Sequence, residues 1–148
     1  MALTPFIRQL DPSELPSALA LVWRVFLAYE APDYTQEGVD EFYKSIHDEA
    51  YLSGLRLYGA FVREALVGVL ATRSGGTHIA LFFVDGQYHR QGIGKQLFDA
   101  ARARCPQGAM TVNSSPFAVA VYRQLGFRAT DAEQVVNGLR FTPMWLEA

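Results

Sequence analysis

The stretch of this 148-residue chain whose residue types and spacing point to chemistry is Val84-Asp85-Gly86-Gln87-Tyr88-His89-Arg90-Gln91-Gly92-Ile93-Gly94-Lys95. An apolar run ending at Val84 feeds a glycine-containing loop, and the loop opens directly into a helical pattern. Such a junction aims several backbone N–H groups at one point, backed by the positive end of the helix dipole. Gly92 and Gly94 let an anion approach the main chain without a Cβ in the way. Arg90 and Lys95 add positive charge. The stretch reads as an anion site suited to a pyrophosphate. It is not a P-loop, which needs G-x-x-x-x-G-K-[ST]. It is not the dinucleotide fingerprint either, because the third glycine is missing and the strand is the fourth, not the first. On these residues alone, a helix start with glycines for close packing is the competing reading. The one cysteine, Cys105, lies before Pro106 with no partner suggesting a nucleophile, and reads as structural.

The elements that must position this loop follow from the hydrophobic period. Phe6–Leu10 reads as a short strand. Asp11-Pro12-Ser13-Glu14 reads as a helix start, with Asp at N-cap, Pro at the first helical position and Glu at N3. Leu15, Leu19, Val22, Trp23, Phe26 and Leu27 follow at helical spacing, and Ala31-Pro32-Asp33 breaks the helix. A second helix over Thr35–His47 turns Val39, Phe42, Tyr43 and Ile46 inward. Leu55–Val62 and Leu66–Thr72 form a hairpin around Arg63-Glu64-Ala65. Ser74-Gly75-Gly76 is a turn, and Thr77–Val84 is a strand apolar enough to be buried on both faces. Gly92–Arg104 is a helix with Ile93, Leu97, Ala100 and Ala101 inward, and Met110–Val112 a short strand. Ser115-Pro116 starts a helix through Leu125 that stops at Gly126. On its spacing Phe117, Val121 and Leu125 form the core stripe and Tyr122 the flank. Gln134–Val136 and Leu139–Leu146 pair across an Asn137-Gly138 type I′ turn. The sum is one α/β domain over residues 1–148, a mixed sheet with helices on both faces.

Composition narrows the function. Apolar residues make up 50% and charged residues 19%, a globular balance. A chain of this length buries about 68–70% of its unfolded surface, enough for a core without staples. A single cysteine excludes a disulfide scaffold and a Cys-rich zinc module, and no metal is expected. The net charge of −2 offers no basic surplus for nucleic acid. The longest apolar runs, Leu66–Ala71 and Ile79–Val84, are strand-sized and far short of a membrane span. Met1-Ala2-Leu3-Thr4-Pro5 shows no signal pattern. A cytoplasmic location follows as the expectation, with a homodimer as one open oligomeric state.

His89-Arg90-Gln91-Gly92-Ile93-Gly94, after an apolar strand, resembles the acetyl-CoA signature [Q/R]-x-x-G-x-[G/A] of the GNAT superfamily of N-acetyltransferases, with His89 where Gln or Arg is usual. Asn113–Phe127 looks like the family's strand-to-helix segment ending in Y-x-x-L-G-F, here Tyr122-Arg123-Gln124-Leu125-Gly126-Phe127. The element order is similar throughout. The resemblance implies a GNAT-like, mostly antiparallel sheet of six to seven strands, splayed between strands 4 and 5. It implies acetyl-CoA as co-substrate, held by Phe82, Phe83, Val84, His89, Arg90, Gln91, Gly92, Ile93, Gly94, Lys95, Asn113 and Tyr122. The alternative on the same fold is a catalytically silent CoA-binding sensor or interaction domain.

Acetyl transfer to an amine needs a neutral nucleophile, a polarised thioester carbonyl and a proton for the departing thiolate. By resemblance, a main-chain N–H near Val84 holds the thioester oxygen, and Tyr122 matches the family tyrosine that protonates the thiolate. A phenol with an ordinary pKa of about 10 carries that proton at neutral pH. Asn113 either contacts the pantetheine or a water, or caps the following turn. For the base, polarity alone offers Glu30, Asp33, His47, Thr72 and His78. The acceptor is a small-molecule or peptide amine. Glu30–Glu49 holds seven acids and one base, a charge of −6, which leaves +4 for the remainder. That favours a cationic acceptor, with Glu30 and Asp33 beside the Pro32 break as its contacts, against the alternative that these acids are solvated helix faces.

Overall fold

The computed structural model describes residues 4–148, so residues 1–3 of the stretch read for a targeting signal lie outside it. Strand β1 (Phe6–Gln9) leads into the expected capping box. The Asp11 carboxylate accepts from the Ser13 amide at 2.9 Å, and Glu14 accepts from the Asp11 amide at 3.0 Å. A 3₁₀ turn at Pro12–Glu14 then runs into α1 (Leu15–Tyr29). Its buried stripe is Ala18, Leu21, Val22, Val25 and Phe26, so Leu27, expected on the apolar face, is exposed instead. A 3₁₀ turn at Ala31–Asp33 separates α1 from α2 (Gln36–Ser45). Ile46 is buried as expected, but Tyr43 lies outside and stacks on His47. A short helix that the spacing does not reveal, α3 (Glu49–Ser53), is capped by Asp48.

Strands β2 (Arg56–Val62) and β3 (Ala65–Arg73) are joined by Arg63-Glu64, both at positive φ (50° and 70°). These are the angles of the two-residue hairpin turns that match strand twist. Then come β4 (His78–Val84), α4 (Ile93–Ala103), β5 (Met110–Ser114) and α5 (Val119–Gln124). A two-residue β6 (Arg128–Ala129), β7 (Gln134–Val136) and β8 (Leu139–Leu146) complete the chain. The strands lie in the order β1-β2-β3-β4-β5-β8-β6, with β7 on β8 through the expected Asn137-Gly138 turn. On α4, Phe98 is buried and Ala100 only partly, because the helix turns a slightly different stripe to the sheet.

Two corrections bear on the site. First, β4 is not buried on both faces. Ile79, Leu81 and Phe83 are buried, whereas His78, Ala80, Phe82 and Val84 are half-exposed. The cause is its pairing: β4 meets β5 in parallel only at His78↔Thr111 and Ile79↔Val112. Register on the β3 side skips Ala80, a bulge that bends β4 where the gap begins. Second, α5 is rotated from the expected setting. Phe117 and Val121 are each 44% exposed, whereas Tyr122 is 5% exposed. The helix end fixes this. Gly126 sits at φ 103°, the Phe127 amide donates to the Tyr122 carbonyl at 3.0 Å, and the Gly126 amide donates to Arg123 at 3.0 Å. This Schellman arrangement draws Phe127 beneath Tyr122, and their rings meet edge to face at 5.4 Å.

The sheet has a core on each face. Helices α4 and α5 pack on one, around Ile93, Leu97, Tyr122 and Met144. On the other, α1 and α2 pack around Phe26, Ile46, Leu81 and Phe83. A Cβ on Gly38 of α2 would overlap the Gly138 carbonyl oxygen at the β7–β8 turn. The hairpin is thereby pinned to α2. Gly38→Ala should cost about 1–3 kcal/mol through overpacking and lower Tm by about 4 °C per kcal/mol. Gly54→Ala, with only one neighbour at 3.8 Å, is the neutral control. Thermal melts of both variants check this, and equal Tm values would show that the hairpin is not pinned there.

Candidate active site

The site begins with the main chain of β4. The Asp85 amide donates to the Val67 carbonyl at 2.8 Å, which sets the alternation along the β3–β4 ladder. The N–H and C=O groups of Phe83 and Leu81 point toward β3, and those of Phe82 and Val84 point into the gap. At Val84 the carbonyl already has a partner: His89 Nε2 lies 2.6 Å from it, so this nitrogen carries the proton. The imidazole also leans on the Tyr29 ring at 4.8 Å. The side chain of His89 thus holds the end of β4.

The loop after β4 has the geometry of an anion cradle. Asp85 accepts from the Gln87 amide at 3.0 Å, and the Gln91 side chain donates to the Gln87 carbonyl at 3.0 Å. Arg90 (φ 62°) and Gly92 (φ 82°) are both left-handed, which curls the main chain around one point. No side chain caps α4, so its leading amides keep free donors. A Cβ on Gly92 would meet nothing within 4 Å, leaving open space before the loop. Gly94 serves packing, since a Cβ there would lie 3.4 Å from the Phe82 ring. Arg90 and Gln91 are exposed and Ile93 is buried. Lys95 differs from expectation: its ammonium binds both Asp99 carboxylate oxygens at 2.9 Å, along the helix and away from the loop end. These features fit the diphosphate of coenzyme A.

A cavity of about 310 Å³ lies in the gap between β4 and β5 and extends under α1, α2 and the β7–β8 hairpin. Tyr122, Phe82, Phe83, Asn113 and Glu30 all line it. The Tyr122 ring packs at 5.9 Å from that of Phe82. Burial, aided by the nearby Glu30 carboxylate, holds the Tyr122 hydroxyl well above the ordinary phenol range. Glu30 is pushed up to about 7, first by burial and then by Asp33, against a hydrogen bond from Ser115. His78 also lines the cavity. Its Nδ1 is 2.8 Å from Thr111 Oγ1, and burial with the charge of Arg73 lowers it to about 4, so it is neutral at pH 7. Asn113 does not cap the next turn; Ser115 does, accepting from the Ala118 amide at 3.3 Å.

Of the seven acids between Glu30 and Glu49, only Glu30 and Glu41 line the cavity. The Asp33 side chain does not. Its main-chain carbonyl accepts from Arg140 at 3.1 Å, and its charge still reaches Glu30 and Tyr34 at the wall. The other base candidates separate: His47 is exposed at the end of α2, and Thr72 is buried within the sheet without a hydrogen-bond partner. Arg73, Arg140, Tyr34 and Tyr51 also line the cavity. They come from four distant elements, and no local spacing links them. Among the described residues no group of three His, Cys, Asp or Glu could hold a metal, and no helix is long and apolar enough to cross a membrane.

Residues 30–148 match the family model of the GNAT acetyltransferase domain. The chain is similar in structure to a GCN5-related N-acetyltransferase from Rhodopseudomonas palustris, with 26% identity, a TM-score of 0.82 and coverage of 100% of this chain and 99% of the other. It also resembles the PaiA N-acetyltransferase of Thermoplasma acidophilum in complex with coenzyme A (16% identity, TM-score 0.78, 99% and 100% covered). A third similar fold is that of YjaB from Escherichia coli (20%, TM-score 0.73, 97% of each chain). No curated protein sequence matches it. With a β4–β5 gap, a glycine cradle at the start of α4 and a family match over most of its length, the chain belongs to the GNAT family of acetyl-CoA-dependent acetyltransferases.

Proposed function

We propose that this chain works as a single domain that moves the acetyl group of acetyl-CoA to a primary amine by direct attack, with Tyr122 as general acid and Glu30 as proton acceptor. One observation carries the reading: Phe82 and Phe83 of β4, Tyr122 and Glu30 border one cavity. The amides of Gly92, Ile93, Gly94 and Lys95 would hold the diphosphate, with Arg90 adding charge at the rim. Asn113 and the β4 edge at Phe82 and Val84 would bind the arm that carries the thioester. The N–H of Val84 or Phe82 would stabilise the oxyanion, and the rings of Phe82 and Phe83 keep water out and strengthen that dipole.

The proton steps balance. An acceptor entering as an ammonium loses a proton to Glu30, whose raised affinity suits it to the task near pH 7. The neutral amine attacks the carbonyl carbon, the C–S bond breaks, and the Tyr122 hydroxyl gives its proton to the sulfur. The attacking nitrogen sheds its second proton to solvent, Tyr122 is recharged from solvent, and Glu30 gives up the proton it took to solvent before the next turnover. Burial holds Tyr122 in its protonated form before the thiolate develops. Glu30 and Glu41 supply the negative field that draws in a cationic amine; Asp33 does not line the cavity.

Three outcomes test this. Tyr122→Phe should lower kcat about 10²–10⁴-fold with CoA affinity unchanged; a loss below threefold would demote the phenol to packing. Glu30→Gln should lower kcat about 10²-fold and remove the acidic limb of the pH–rate profile. The wild-type rate should rise through pH 7 as Glu30 loses its proton. Stability gives the opposite sign: a carboxyl raised on folding costs stability as pH climbs past its unfolded value. Glu30→Gln should therefore raise Tm at pH 8 and not at pH 4. Gly92→Val, filling the open space before the loop at a positive φ, should abolish CoA binding in calorimetry while the protein still melts cooperatively.

A further inference from the structure

We infer that the acceptor is a zwitterion of extended length, its amine at the Glu30–Tyr122 end of the cavity and an anionic head on the guanidinium of Arg73 at the other. The inference rests on the amine-acetylation reading above and adds the substrate's second group.

Arg73 is the last residue of β3 and pairs in register with His78, the first of β4. It is exposed and contributes to the cavity lining. The cavity's other guanidinium, Arg140, is spent on structure. It binds both oxygens of Glu133 at 3.1 and 3.2 Å and the Asp33 carbonyl at 3.1 Å. Arg73 has no such role: none of the four ion pairs among the described residues includes it, and it makes no side-chain hydrogen bond there. Its cavity neighbours are donors or neutral. Tyr51 feels the charge of Arg73, and its phenol is kept protonated by burial. His78 is neutral at physiological pH. A planar guanidinium beside a phenol is a natural partner for a carboxylate or phosphate. The acidic wall lies elsewhere, with Glu41 tied to Asn137 at 3.5 Å.

Length follows from the strand. His78 and Phe82 are four residues apart, but across the Ala80 bulge they pair with Arg73 and Leu70, three residues apart, a span of about 10 Å at roughly 3.3 Å per residue. An α-amino acid, with both groups on one carbon, is too short. A tripeptide in extended form, about 10 Å, or an ω-amino acid fits.

The experiment compares matched acceptors with the full chain: triglycine against triglycinamide, and 6-aminohexanoate and 6-aminohexyl phosphate against hexylamine. The anionic members should be at least tenfold better in kcat/KM, through KM. The better of the two hexyl anions identifies the head group as carboxylate or phosphate. Arg73→Gln should erase the preference with CoA affinity and the hexylamine rate unchanged, and Arg73→Glu should turn it toward 1,6-diaminohexane. Equal use of charged and neutral members, or an unmoved preference in Arg73→Gln, overturns the inference. So does failure of every one of these amines. In that case thiol release from acetyl-CoA with other amines leaves the transferase reading intact, and its absence with all amines removes both.

Discussion

The structure depends on a sheet that is left unfinished. Backbone N–H and C=O groups inside a sheet are normally paired, and burying them unpaired is costly. Here β5 pairs with β4 at two positions and then leaves, so the rest of β4 presents polar groups to a gap that no strand fills. The bulge at Ala80 bends the strand at that point. His89 satisfies the carbonyl of Val84, and the remaining groups are free for a ligand. The cavity, the exposure of alternate β4 side chains and the position of the glycine loop all follow from that divergence.

The same gap separates two titratable groups by environment. Tyr122 is buried among aromatic rings and keeps its proton; Glu30 sits at the cavity wall with its affinity raised into the neutral range. Each raises the other's cost of ionising, since a phenolate beside a carboxylate is a like-charge pair. In the reading proposed above, this contrast gives one cavity both a group that keeps its proton and a group that can take one up near neutral pH.

Much of this was legible in the residues. The capping box at Asp11, the Arg63-Glu64 and Asn137-Gly138 turns, and the strand–loop–helix at Val84–Lys95 rest on local rules, and they fold as those rules dictate. What failed was side-chain direction. The stripe Phe117–Val121–Leu125 satisfies helical spacing, yet a six-residue helix is oriented by its Schellman end, and that end buries Tyr122. Proximity places Lys95 at the loop, but its ammonium pairs with Asp99 four residues on. Asp33 and Glu30 flank the same proline, and only Glu30 lines the cavity. The cavity's arginines were invisible because they come from chain segments far apart in sequence, and no period connects them.

The two cores on opposite faces of the sheet divide the molecule's tolerance to change. The glycine loop proposed to hold the cofactor's diphosphate is rooted in the α4 core, whereas much of the cavity wall proposed for the acceptor, from α1 and α2 to the hairpin pinned at Gly138, belongs to the other side. Substitutions in that wall can alter which amine is admitted while leaving the grip on the common donor untouched. The central strands serve both halves: β4 places Leu81 and Phe83 in one core and Ile79 in the other, and β3 places Val69 and Ala71 in the first and Val67 and Leu70 in the second. A substitution in β3 or β4 is therefore felt on both faces of the sheet, whereas one in a helix is felt on one face.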